Sequence, residues 1–205
     1  QVNDFTRGDT SDLTEFEGVS AFIKYQLNSL KRKLYPSKGT KVDMSFRQTS
    51  GRETTTPGST ARIKERAFER KDWLNINLKI DKYFLERSNF HFGAYFEANY
   101  SDLPFFQNYT ATLLLSPAFA PLVESKTIFQ DQYRARTFFG GGLKAIYSIR
   151  DQLDFRLEAY VYQPYEELIE NADGSVGLGE EVINRDLIGT FTTVYHTRLG
   201  PLAAS

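Results

Sequence analysis

Phe90-His91-Phe92-Gly93-Ala94-Tyr95-Phe96-Glu97-Ala98-Asn99-Tyr100 puts Phe90, Phe92, Ala94, Phe96, Ala98 and Tyr100 on one side of an extended chain and His91, Gly93, Tyr95, Glu97 and Asn99 on the other. Successive side chains of a β-strand point to opposite faces, so a two-residue period this long predicts a strand with one apolar and one polar face. Glu97 sits deep in the polar series. With the apolar face against hydrocarbon, that glutamate must look into a wet interior.

The same period recurs on both sides of this stretch. Val19, Ala21, Ile23, Tyr25 and Leu27 alternate with Ser20, Phe22, Lys24, Gln26 and Asn28, with Phe22 the one apolar residue out of place. Val42, Met44 and Phe46 follow after a Pro and Gly turn at 35–40, then Leu74, Ile76, Leu78 and Ile80 after a polar connection at 51–71. A short connection at 82–89 leads to the quoted strand. A long one, 101–133, holds Thr110–Leu115 as a short apolar helix or strand at the mouth of the structure.

Ala135, Thr137, Phe139, Gly141, Leu143, Ala145 and Tyr147 then oppose Arg134, Arg136, Gly140, Gly142 and Lys144. After a turn at Ile149-Arg150-Asp151, Leu153, Phe155, Leu157, Ala159 and Val161 oppose Asp154, Arg156, Glu158, Tyr160 and Tyr162. A loop at 164–184 precedes a Thr-rich strand at 187–196 of ambiguous facing. Thr197 to Gly200 turns into an unfinished eighth segment, and with the polar start at Gln1 this reads as a fragment of a longer chain.

Connections that alternate short and long are the pattern of an outer-membrane barrel, tight on one side of the bilayer and wide on the other. The expected fold is all-β, an antiparallel up-and-down transmembrane β-barrel, as a single domain over 1–205 and part of a larger barrel. A mean hydropathy of −0.44 with 25% charged residues looks water-soluble, yet only every second residue of a barrel strand meets lipid. No run approaches the ~18 apolar residues of a membrane helix. With 25 basic and 26 acidic residues, nothing asks for nucleic acid, and the absence of cysteine removes disulfides and thiolate metal sites.

This facing makes Glu97, Arg134, Arg136, Lys144, Asp154, Arg156 and Glu158 the expected lumen charges, the bases neutralised by the acids in preference to forming an anion path. Ile76, Leu78, Phe92, Phe96, Leu153, Phe155 and Leu157 are the expected lipid-facing side chains, and Trp73 is the single tryptophan available as a bilayer reporter.

No chemistry-bearing motif rises above this background. His91 and His196 lie on separate strands without ligand-spaced carboxylates, so neither metal nor cofactor is expected. Gly140-Gly141-Gly142 lacks the Walker spacing and suits a bend or close packing. Glu166-Glu167 and Glu180-Glu181 read as solvated loop charge, and Asp173-Gly174-Ser175 as a turn. The G-x-S-x-G elbow of serine hydrolases does not occur.

Several blocks carry a resemblance in their order: 27–33 (LNSLKRK), 35–39 (YPSKG), 51–54 (GRET), 57–60 (PGST), 81–84 (DKYF), 108–110 (NYT), 117–119 (PAF), 124–127 (ESKT), 156–165 (RLEAYVYQPY) and 194–202 (VYHTRLGPL). Over nearly the whole chain they resemble the C-terminal barrel of patatin-like phospholipases of Bacteroidetes, itself similar to barrels of the bacterial surface-antigen superfamily. The resemblance implies a bacterial outer-membrane location and a covalently linked upstream lipase domain with a Ser and Asp dyad, absent from this chain. It implies a noncatalytic barrel, in contact with outer-membrane lipid, that anchors and exports or presents that lipase. Two other readings stand beside it: a surface-antigen pore or assembly factor, and a soluble barrel that holds lipid inside, with the apolar face turned inward.

Overall fold

The computed structural model describes residues 13–59, 66–87, 89–123, 125, 129–149 and 152–205. In chain order the elements are β1 (Leu13–Asn28), β2 (Thr40–Thr56), β3 (Ala67–Arg87), β4 (Phe90–Ser101), α1 (Tyr109–Leu115), β5 (Phe138–Ile149), β6 (Leu153–Pro164), β7 (Leu168–Glu170), β8 (Val176–Leu178), β9 (Asp186–Thr197) and β10 (Gly200–Ala204). Eight of the strands form one antiparallel up-and-down sheet in the order β1-β2-β3-β4-β5-β6-β9-β10, while β7 and β8 pair as a separate hairpin. The large sheet is open, with β1 and β10 as its edges.

The period of two places the strand centres, and the backbone ladder carries them further. Residues 51–56 and 67–71, expected as loop, pair as extensions of β2 and β3, and β1 begins at Leu13 to match them. These extensions lack an apolar outward row, which is why they resemble loop, but ladder hydrogen bonds hold them whatever the side chains. In contrast, β5 starts at Phe138 and not at Arg134, because Arg134 bridges back to Ala118 in the preceding connection. Thr110–Leu115 is helical within α1, capped by Asn108, whose side chain accepts from the Ala111 amide at 2.7 Å. The expected turn at Arg150-Asp151 lies outside the described residues, as do Thr60, Glu124, Lys126 and Thr127 of the blocks quoted above.

Side chains from strands that are not neighbours meet on one face. Lys144 of β5 reaches Asp81 of β3 at 2.9 Å, and Arg156 of β6 reaches the Tyr83 hydroxyl of β3 at 3.4 Å. In a flat sheet, strands three places apart stand about 14 Å from each other. The sheet is therefore curled, with this face concave.

The strands also run aslant. Carried along the ladders, Asn28 at the end of β1 stands level with Lys41, Asp81, Tyr95, Gly142, Tyr160 and Ile188. Ile188 lies nine positions before the end of β9 at Thr197. Strand ends slip by about 1.5 residues per strand, which at roughly 3.3 Å per residue and 4.8 Å between strands is a tilt of about 45°.

Candidate membrane-facing surface and enclosed charge network

The convex face is a slanted apolar band. Its outward runs extend from Val19 to Leu27 on β1, Leu74 to Phe84 on β3, Phe90 to Tyr100 on β4, Phe139 to Ile149 on β5, Leu153 to Val161 on β6 and Leu187 to Tyr195 on β9, with a shorter one at Val42 to Phe46 on β2. Upper and lower edges shift together with the strand stagger, so the band keeps its width around the curve. Large side chains stand open along it: Ile23, Leu143, Leu157, Leu187 and Phe191 are each more than half exposed. Of the seven residues expected to face lipid, all lie here, with Phe96 and Leu157 exposed and Ile76, Leu78, Phe92, Leu153 and Phe155 half-buried. They do not gather into a closed apolar centre.

The concave face holds the charges. Glu97 is fully buried and accepts from the Tyr95 hydroxyl at 2.5 Å, Asn77 Nδ2 at 3.1 Å and Lys79 Nζ at 2.7 Å. Arg156, 2% exposed, pairs with Glu158 at 2.8 Å, and Tyr160 donates to the same carboxylate. The register sets Lys144 opposite Glu158, yet its ammonium crosses β4 to Asp81 and sits over the Tyr83 and Tyr95 rings at 5.6 and 5.4 Å. Gly93 of β4, opposite Lys144 in the register, makes room for the Tyr83 ring beneath that ammonium, since a Cβ there would meet the ring at 2.7 Å. Asp154 takes Ser148 at 2.6 Å, His196 at 2.8 Å and Arg32 at 3.3 Å.

Of the pairings expected among these charges, the structure makes Arg156 with Glu158 alone. The other acids find Lys79, opposite Glu97 in the register, and Arg32 and His196, none of them among the expected lumen charges. Arg136 pairs with Glu166 at 3.1 Å. Arg134 serves no ion pair among the described residues; it donates to the carbonyls of Leu113, Leu114 and Ser116 and closes the end of α1. Burial holds its pKa below the usual arginine value.

Toward the ends that carry the long connections, the concave face turns apolar. Trp73, Leu103 and Phe106 cluster with Phe16 and Ala111, while Phe119 packs with Tyr95, Phe138, Tyr160 and Tyr162. Trp73 thus points inward, 8% exposed, and does not report on the convex surface. Phe119 lies in the space left by Gly140, where a Cβ would come within 2.3 Å of its ring. The triple glycine is a packing device, and Asp173-Gly174-Ser175 is a turn, with Asp173 accepting from the Ser175 amide at 3.0 Å and Gly174 at φ +79°.

Two cavities flank the inserted connection. One of about 440 Å³ is walled by Arg47, Asn75, Asn77, Asn99, Pro117 and Ala118 among others. The other, of about 140 Å³, lies where the 29–39 turn meets residues 120–123 over Lys144, Arg156 and Glu158. Among the described residues no His, Cys, Asp and Glu group suits a metal, and no helix is long and apolar enough to cross a membrane. Comparison of the chain with family profiles, characterised proteins and solved structures returned no match.

Proposed function

We propose that this chain forms part of the wall of an outer-membrane β-barrel and serves, without catalysis of its own, to anchor and present or export a linked patatin-like lipase domain. The observation that carries the membrane reading is the slanted band. Outside β2, its runs span eight to ten residue steps, matching the ~9–11 residues with which a tilted strand crosses a bilayer. At a tilt of about 45° this is roughly 20 Å of height before side chains are added, close to the ~25 Å apolar belt of known barrels. Fully buried Glu97 behind exposed Leu143 and Leu157 inverts the polarity of a water-soluble sheet.

The exposed apolar band favours this reading over a soluble barrel that holds lipid inside, which needs Leu157 and Phe191 turned inward. The insertion of Phe119 and its neighbours into the concave side speaks against a wide-open conduit. The lipase link rests on the sequence resemblance.

A reporter moved to the convex face tests the membrane reading. In a Trp73→Phe background, Leu157→Trp is expected to be strongly quenched by brominated-chain phospholipids, whereas the original Trp73 is quenched little. Equal, weak quenching of both sinks it. The anchor role is tested separately, by whether the same polypeptide carries an upstream G-x-S-x-G serine; its absence removes the lipase and leaves the membrane reading standing.

A further inference from the structure

The apolar band carries one charged side chain. Among the described residues facing outward within it, from Val19 through Tyr195, Lys82 alone is ionic, and Arg87 follows just below its lower edge on the same strand. Both are exposed, and neither has an ion pair among the described residues. Aromatic side chains stand between and beside them. Phe84 lies between them in sequence with its ring edge-on to Phe92 at 5.3 Å, and Phe90 stands opposite Arg87 in the register. Phe84, Phe90 and the nearby Tyr147 are all 40% exposed or more.

The two rims of the band differ. Beyond its upper edge the outward charges on β1 to β3 are Glu15, Glu17, Arg52, Arg70 and Asp72, a mixed set in which Arg70 and Asp72 neutralise each other at 2.9 Å. At the short-turn rim the described outward strand charges are cationic only. An unpaired lysine inside a hydrocarbon belt extends its ammonium toward the headgroup layer and is stabilised there by an anion.

We propose that Lys82 and Arg87, over Phe84, Phe90 and Phe92, form a binding site for an anionic phospholipid headgroup in the leaflet that faces the short turns. The phosphate and any further headgroup charge lie between the two cations. The acyl chains run along the phenylalanine rings, which are rigid and apolar and so lose little freedom on contact. This inference rests on the membrane reading and goes beyond it, since a wall anchored by hydrophobic contact alone has no lipid preference.

The test uses the full chain in phosphatidylcholine bilayers with spin-labelled phosphatidylglycerol or spin-labelled phosphatidylcholine as probe, and reads the relative association constant from the motionally restricted fraction. Each interfacial cation contributes roughly a fivefold preference, so the wild type is expected to favour phosphatidylglycerol on the order of tenfold or more at low salt, less at 0.5 M salt. Lys82→Gln with Arg87→Gln brings the ratio close to one; Lys82→Arg keeps it; Arg70→Gln at the other rim leaves it unchanged. No preference in the wild type, or a preference that survives the double substitution, overturns the site. Flotation with phosphatidylcholine vesicles separates the two layers of the argument: a chain that floats without lipid preference disproves the site alone, and a chain that does not float disproves the membrane reading and the site with it.

Discussion

Along β1 and β3 the sheet contains two regions with opposite rules of burial. Below Val19 and Leu74 the outward side chains are apolar except Lys82, and the inward ones mostly polar, among them Ser20, Asn75, Asn77 and Lys79. Two residues further up both faces reverse: Glu17 and Asp72 point outward while Phe16 and Trp73 pack inward on Phe106, with ring centroids 5.2 to 6.1 Å apart. A sheet in one solvent has no reason to exchange its faces at a single level. A sheet that leaves hydrocarbon and enters water has one, because the medium outside decides which row must be shielded.

The contrast is broken most severely at two consecutive residues of β6, and next at a glycine of β5. Arg156→Leu leaves Glu158 buried without its cation and is expected to cost about 3–5 kcal/mol, seen as a fall in the urea midpoint of the detergent-folded protein; an unchanged midpoint means the concave charges are not mutually dependent. Leu157→Arg places a cation on the outward face mid-band, where about 2–4 kcal/mol is lost in a bilayer. Its signature is a reduced inserted fraction with little change in detergent alone, and full insertion contradicts the band. Gly140→Ala forces Phe119 from its seat and is expected to cost about 1–3 kcal/mol, with raised proteolysis in 116–123 while the strands stay protected. The smallest effect belongs to the upper region. Phe68→Arg, outward on β3 above the band, should shift stability by less than about 0.5 kcal/mol, and a loss as large as that of Leu157→Arg would erase the boundary between the regions.

Much of this contrast is legible in the chain itself. The facing of Leu153 to Tyr162 follows from a period of two that no helix reproduces, and Glu97 is marked as interior by six apolar neighbours in alternate positions. The upper region is harder to read because its inward apolar residues, Phe16 and Trp73, find partners 30 or more residues away in Leu103 and Phe106. Lys144 illustrates a second limit. Its register partner is Glu158, yet its ammonium reaches across β4 to Asp81, a choice of partner that the alternation along one strand does not mark.

The first turn is fastened from far away. Arg156 holds the Pro36 carbonyl across 120 positions, and Asp154 holds Arg32 across 122. Closing loops of that length is slow compared with zipping one hairpin onto the next. The 29–39 segment therefore forms early as a bend but locks last, once the sixth strand has arrived beneath it. Its amides should be the slowest to gain protection during refolding, a clock for the moment the sheet finishes rolling up.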